Sequence, residues 1–345
     1  MNLEGNTMLD KKYTVNAMKL EGLNILITGG VGVIGSSMSN FLSGFANITI
    51  LDNLSSSSIE NIGNIVERKN VRFVRGDIRD SETVDRAMKG TNLVIHLAAN
   101  ADVRYSENQG TDLDLKASTI GTYNILEAMR KEDVEYLLYS SSSSVYGDAQ
   151  VIPTPESYGP LLPKSLYAAS KAASESLISS FSHMFGLKSI IYRFANITAP
   201  LFRSIGRNVI PDFILKLGKN PDELEVLGDG QQEKSYLYVE DCIDGMLFLA
   251  SKMQNYADIF NLGNVDSTKV TAIAKIVIEE MGLPNVKLRF TGGQTGWRGD
   301  IAKTILDISK AQSRGWSPSL HSDDAVRRSA REIIKNMKYD GKNPL

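Results

Sequence analysis

The sequence predicts an α/β fold: a doubly wound parallel sheet with a smaller α/β lobe beyond it. Three observations predict it. An apolar run over residues 23–27 stops abruptly in glycines, and a helical spacing begins behind them. A second apolar run over residues 48–51 ends in an acid, Asp52. Short apolar runs then alternate with helical stretches as far as residue 194, the pattern of a parallel sheet covered on both faces.

Taken in order, residues 23–35 read as a buried strand, a tight turn and the first turn of a helix. The glycines fit two spacings at once, Gly30-x-Gly32-x-x-Gly35 and Gly29-x-x-Gly32-x-x-Gly35. Such a turn lets backbone N–H groups approach a pyrophosphate, with the positive end of the helix dipole aimed at it. The helix continues over residues 36–42 and ends at Gly44. The second strand delivers Asp52 at about the distance where a dinucleotide fold places its ribose-binding carboxylate. A polar loop, residues 53–58, follows. The third strand, residues 71–74, ends at Gly76-Asp77-Ile78. Ser81 caps a helix that runs to Met88, with Gly90 as its stop. The fourth strand, residues 93–97, closes on Ala98-Ala99. A long helix over 113–130 leads to a fifth strand, 136–139, which runs into Ser140, Ser141, Ser142, Ser143 and Ser144. Ser165 opens a helix over 166–185 that Gly186 stops, and the sixth strand spans 188–194. Right-handed crossovers bring Gly29, Asp52, Asp77, Ala98 and Ser140 to one edge of the sheet.

The alternation breaks after residue 195. The reading is therefore an N-terminal arm over 1–22, a dinucleotide-binding Rossmann domain over 23–195 to which 235–262 return, and a substrate lobe from 196–234 and 263–345. Composition bounds the function classes. With 345 residues, 42% hydrophobic and 23% charged, the chain is an ordinary globular protein. A net charge of -2 supplies no attraction to nucleic acid or a membrane surface. No apolar run approaches a membrane span. Cys242 is the only cysteine, so a reducing, cytoplasmic setting is expected, and three scattered histidines make no metal cluster.

The chemistry is expected at Tyr167 and Lys171, four residues apart on one face of a helix. A tyrosine near its ordinary pKa of about 10 is a poor base at neutral pH. A lysine ammonium and a nicotinamide cation both favour the phenolate, so the pair can make a proton acceptor. Tyr-x-x-x-Lys alone also describes a surface helix pair. Its place downstream of a dinucleotide turn and a serine-rich strand end is what makes it specific. His96 reads as a packed strand-end residue rather than a catalyst. Asp52 would accept from ribose hydroxyls and repel an extra phosphate, and no Arg or Lys between it and Ile59 compensates, which favours NAD over NADP.

These motifs resemble a known family. The turn at residues 28–35, Asp52-Asn53-Leu54, Gly76-Asp77-Ile78, His96-Leu97-Ala98-Ala99, Ser140-Ser141-Ser142, Val145-Tyr146-Gly147 and Tyr167-x-x-x-Lys171 fall in the order seen in extended short-chain dehydrogenases/reductases. Further matches, including Arg193-Phe194-Ala195-Asn196 and Gly315-Trp316-x-Pro318, extend the likeness over residues 23–318. Within that group the chain is most similar to the NAD-dependent nucleotide-sugar epimerases and dehydratases, and among them to UDP-glucose 4-epimerases.

The resemblance implies roles. Tyr167 would take the proton of the sugar 4-hydroxyl, Ser142 would relay it, and Lys171 would bind the nicotinamide ribose and hold down the tyrosine pKa. Gly29, Gly32, Val33, Ile34, Gly35, Asp52, Asn53, Ser55, Asp77, Ile78, Leu97, Ala98, Ala99 and Ser140 would complete the NAD site with Tyr167 and Lys171. Ser142, Asn196, Val209, Lys234, Arg298 and Thr304 would bind the nucleotide sugar. Lys234 replaces the family's usual arginine, so it keeps the charge without the fork, and Arg298 is one residue off the usual spacing. Ser143 and Ser144 stand where sugar 4,6-dehydratases resemble one another in an Asp-Glu pair, which disfavours dehydration. Ser118 stands in place of an asparagine. Thr304 lies by resemblance at a gate that is small in members accepting N-acetylated sugars. The implied activity is C4 epimerisation of a UDP-hexose through a transient 4-keto sugar, by a homodimer. Another nucleotide-sugar reaction (uronate epimerisation or decarboxylation) and a non-catalytic NAD-binding regulator stand as alternatives.

Overall fold

The structure, a computed structural model, describes residues 14–15, 18–108, 110–200 and 208–339. Seven parallel strands form the central sheet: β1 (Asn24–Thr28), β2 (Asn47–Asp52), β3 (Val71–Arg75), β4 (Leu93–His96), β5 (Tyr136–Ser142), β6 (Lys188–Phe194) and β7 (Ala257–Leu262). Their spatial order is β7-β6-β5-β4-β1-β2-β3. The order reverses between β1 and β4, and a doubly wound sheet binds its ligand at the C-terminal edge beside such a reversal.

Alternation along each strand feeds two cores. Ile25, Ile27, Ile48, Ile50, Leu93 and Ile95 face one side, where helices α1 (Val33–Leu42) and α6 (Val239–Ser251) cover them. Leu26, Leu51, Val94 and Leu137 face the other. There they meet α2 (Ser81–Met88), α3 (Gly121–Lys131) and α4 (Leu166–Phe185). Leu177, Ile178 and Phe181 of α4 pack into this second core. A third core joins α5 (Val209–Lys219), α7 (Val270–Met281) and α8 (Ser322–Tyr339) with Leu224 and Val226. Among the described residues no helix is long and apolar enough to cross a membrane.

Four local expectations need correction. Asp80, not Ser81, is the N-cap of α2, accepting from Glu82 N at 3.1 Å. The fifth strand does not stop at residue 139 but continues through Ser142, and a single 3-10 turn, Ser143–Tyr146, follows. The helix expected over 113–130 contains a π-helical stretch, Leu115–Ile120, before α3. Tyr236–Tyr238 does not rejoin the main sheet but pairs in parallel with Asn196–Thr198.

The lobe boundaries also differ from the sequence reading. Of the residues assigned to an N-terminal arm, Val15 and Leu20 are fully buried in the first core, because the pair Thr14–Val15 and Met18–Lys19 folds back beside α6. Residues 1–13, 16 and 17 lie outside the described residues. Leu306, Ile308, Ala311 and Trp316, assigned to the smaller lobe, also pack into the first core.

Candidate active site

The strand ends bring the predicted residues together. Two cavities of about 530 Å³ each open side by side along the C-terminal edge of the sheet. Every residue named above for the cofactor lines one of them. Ser142, Asn196, Val209, Lys234 and Thr304 line the other. Tyr167, Ser141, Phe194, Val33 and Ile34 belong to both, so Tyr167 stands on the shared wall.

The glycine turn is built by close approach. Gly29 has φ +66°, and a Cβ there would come within 2.7 Å of Ala98 N. A Cβ on Gly35 would sit 2.0 Å from the Gly29 carbonyl oxygen. The turn can therefore lie flat on the first turn of α1 only with hydrogen at these positions. Gly32 is the N-cap of α1 and offers no side chain to its N–H groups. What faces the cavity is bare backbone at the positive end of a ten-residue helix, and this fits a pyrophosphate.

Asp52 takes Val31 N at 3.1 Å on one oxygen and Leu54 N at 2.8 Å on the other, while its burial raises the carboxyl pKa. Each oxygen retains a lone pair for a ribose hydroxyl. Asn53 donates to Asp77 at 2.8 Å and ties the two loops together. Arg79 grips Asp77 through Nε and Nη2 at 2.9 and 2.7 Å, and these bonds hold its carboxyl down at about 2. Arg79 itself lines the cofactor cavity. It stands outside the stretch between Asp52 and Ile59, which holds no Arg or Lys.

At the chemical centre, the Ser142 side chain lies close enough to the Tyr167 hydroxyl to oppose the rise in its pKa, and Ser142 accepts from Ser144 Oγ at 2.8 Å. Ser165 caps α4 by accepting from Ala168 N at 3.2 Å, which starts the helix at Leu166, one residue before Tyr167. Lys171, 2% exposed, donates to the Ser140 carbonyl at 2.6 Å and lies over the Tyr139 ring at 4.8 Å. Its Nζ is 6.0 Å from the centre of the Tyr167 ring.

Burial sets the titration here. It pushes Lys171 down to about 7, opposed by the charge of Glu175. It pushes Tyr167 up to about 12, with the Ser142 side chain lowering and the Asp114 charge raising. The expected lowering of Tyr167 by Lys171 is not found in the protein's own residues, since the ammonium is committed to Ser140 and the phenol is desolvated.

Glu175 extends the Tyr167–Lys171 face by one more turn. It holds Arg193 of β6 at 2.7 Å in a buried pair and accepts from Ser141 Oγ. Burial holds His96 at about 3, so it is neutral between Thr28 Oγ1 at 2.6 Å and Thr122 Oγ1 at 3.0 Å, a packed residue as expected. Ser118 is buried, and its hydroxyl has no partner within the π-helical stretch.

Substrate-side residues come from several segments. Lys234 and Thr304 are register partners on neighbouring strands, and Asn196 is the partner of Tyr236. Lys234 pairs with Asp300 at 2.6 Å. Asp300 also accepts from Gly296 N at 3.1 Å and Ile301 N at 3.0 Å. Arg298 is exposed and does not line the cavity; Trp297, Gly299 and Asp300 on either side of it do.

Residues 25–263 match the model of the NAD dependent epimerase/dehydratase family. A Methanocaldococcus jannaschii protein, assigned by name to the UDP-glucose 4-epimerases, is 33% identical over 309 residues, 88% of this chain and 96% of that one. A crystal structure of a UDP-galactose 4-epimerase superposes with TM-score 0.81 at 34% identity, covering 91% of this chain and all of the other. The UDP-N-acetylglucosamine 4-epimerase of Methanobrevibacter ruminantium M1, solved with UDP-N-acetylmuramic acid, superposes with TM-score 0.82 at 27% identity, over 93% and 99%. The glycine turn, the acid at Asp52 and the Ser-Tyr-Lys centre therefore sit in a chain that belongs to the NAD dependent epimerase/dehydratase family.

Proposed function

We propose that the protein epimerises a UDP-hexose at C4. The observation that carries this reading is the shared wall: Ser142, Tyr167 and Lys171 meet where the cofactor and substrate cavities join. Bound NAD supplies a hydride acceptor that returns the hydride, so the reaction has no net redox change.

The chain's own residues manage the proton and the geometry. Ser142 Oγ orients the phenol toward the sugar 4-oxygen, and Tyr167 takes and later returns the proton at that oxygen. A cationic ring beside Tyr167 and a protonated Lys171 both favour the phenolate that burial alone disfavours. Asp52 would hold ribose hydroxyls, the Gly32 turn the pyrophosphate, and Lys171 the second ribose. On the substrate side, Lys234 and Asn196 would hold the diphosphate and leave the sugar free to turn over.

Ser143 and Ser144 line the sugar end, where elimination of water needs an acid and a base, and this favours epimerisation over dehydration. The similarity to 4-epimerases over nine-tenths of the chain supports the same reading.

Incubation with NAD and UDP-glucose should yield UDP-galactose. Tyr167→Phe should lower kcat by about 10²–10⁴-fold while NAD stays bound. Turnover retained by that variant would refute the mechanism.

A further inference from the structure

Five aromatic side chains among the described residues line the substrate cavity: Tyr167, Phe194, Phe213, Tyr236 and Trp297. Phe194, Phe213 and Tyr236 are 6%, 2% and 3% exposed and are packed into the first and third cores. Tyr167 carries the proton of the proposed reaction. Trp297 differs. It is half-buried and belongs to none of the three cores, so its indole keeps apolar surface for the cavity. An indole face left partly in water is stabilised by an apolar surface that covers it.

The segment that carries the ring is fixed. Asp300 N donates to the Trp297 carbonyl at 3.2 Å, closing a tight turn in which Gly299 has φ +89°. A Cβ on Gly299 would sit 3.0 Å from Trp297 Cζ3 and 3.3 Å from Cη2, so the six-membered ring lies against bare backbone. The same point is 3.0 Å from the Lys164 carbonyl oxygen, and Lys164 Nζ donates to the Asp300 carbonyl at 3.3 Å. The turn is thereby seated against residue 164, whose neighbour Ser165 caps α4 and lines this cavity. The Asp300 carboxylate pairs with Lys234 at 2.6 Å. Trp297 thus belongs to a turn bonded both to the start of the tyrosine helix and to the cation proposed for the diphosphate. The pyranose ring is the part of a nucleotide sugar that joins the reacting C4 to the diphosphate.

We propose that Trp297 is the platform on which that pyranose ring lies. The C–H groups on either face of the sugar are apolar and meet the electron-rich face of the indole. A flat aromatic surface makes no directional bond to a hydroxyl, so it supports the ring whichever face is presented to Tyr167. The inference rests on the reading that this cavity holds a nucleotide sugar at Tyr167, and it names a residue that grips the sugar apart from the diphosphate.

The test is calorimetric titration of the full chain, loaded with NAD, with UDP-glucose and with UDP. Trp297→Leu and Trp297→Phe are measured beside the unmodified protein. Trp297→Leu should weaken UDP-glucose by about tenfold and leave UDP within about twofold. Trp297→Phe keeps a ring in the turn and should retain most of the sugar affinity. Acrylamide quenching adds a readout independent of affinity, because Trp316, the other tryptophan, is 2% exposed. UDP-glucose should shield the emission from acrylamide more than UDP does, and Trp297→Leu should abolish that difference. Equal weakening of UDP and UDP-glucose by Trp297→Leu would make the indole a ligand of the nucleoside diphosphate or a prop of the turn, and would overturn the proposal. Unchanged affinity for both ligands would overturn it while leaving the proposed function standing. Failure of the unmodified protein to bind UDP-glucose would sink both.

Discussion

The cofactor cavity and the substrate cavity each enclose about 530 Å³ and meet at Tyr167, yet their walls are made differently. The cofactor wall is largely backbone and small residues at the ends of successive strands, and backbone meets backbone closely at Gly29 and Gly35. The substrate wall is side chain, drawn from the serine strand end, the Asn196 strand, α5 and the segment around Asp300, and two of its charges are paired with each other. A wall of backbone is fixed by the path of the chain and tolerates few changes of shape. A wall of side chains can be re-cut one residue at a time without moving the scaffold. Similar proteins are named for UDP-glucose and for UDP-N-acetylglucosamine, and such a division would let substrate choice vary independently of the cofactor.

The comparison can be broken first at the joint. Arg193 and Glu175 lie under the shared wall, 5% and 6% exposed, and tie β6 to the helix that carries Tyr167 and Lys171. Arg193→Met would leave the buried Glu175 without its ion-pair partner, at a cost of about 3–5 kcal/mol in urea unfolding. Arg193→Met combined with Glu175→Leu should recover most of that loss. A double variant no more stable than the single one would show that packing, rather than the stranded charge, is what the pair protects.

The next largest effect belongs to the cofactor wall alone. In Gly35→Ala the new methyl meets the Gly29 carbonyl at 2.0 Å, and neither partner is a flexible side chain. Forcing the turn off α1 should cost about 1–3 kcal/mol and widen the phosphate cradle. NAD affinity should fall with it, as followed by fluorescence titration, while UDP binding measured without NAD changes little. An unchanged NAD affinity would mean that the turn does not carry the pyrophosphate.

The same division explains what could be read from the sequence. The cofactor side was legible because its residues follow strand ends in chain order, and each strand announces itself by an apolar run. The errors there are local. Asp80 and Ser81 are both good caps one residue apart, and only the bond from Glu82 N separates them. Arg79 reaches the cofactor cavity from the loop after β3, well beyond the stretch between Asp52 and Ile59.

The substrate side depends on contacts across long separations. Lys234 meets Asp300 across 66 positions, and nothing in either stretch announces the other. The resemblance offers Arg298 as a substrate ligand one residue off the usual spacing, but the bend that turns Trp297 and Asp300 to the wall leaves Arg298 exposed and outside the cavity lining.

The smallest effect should touch substrate choice and nothing else. Thr304 lines the substrate cavity beside Lys234, its register partner, and its side chain is small. The protein should therefore turn over UDP-N-acetylglucosamine as well as UDP-glucose. Thr304→Tyr adds a ring to the wall without a new charge. It should lower kcat/KM for the N-acetylated sugar by about tenfold or more relative to UDP-glucose, the scale of discrimination that a filled pocket supplies. Melting temperature and NAD affinity should stay put, because Thr304 lies outside the cofactor cavity and is only half-buried. A wild-type protein active on UDP-glucose and inert toward the N-acetylated sugar would show that Thr304 is not the gate. A Thr304→Tyr variant that loses both sugars equally would show that this wall carries the common part of the substrate, so that the substrate side is less free to vary than its construction from separate side chains implies.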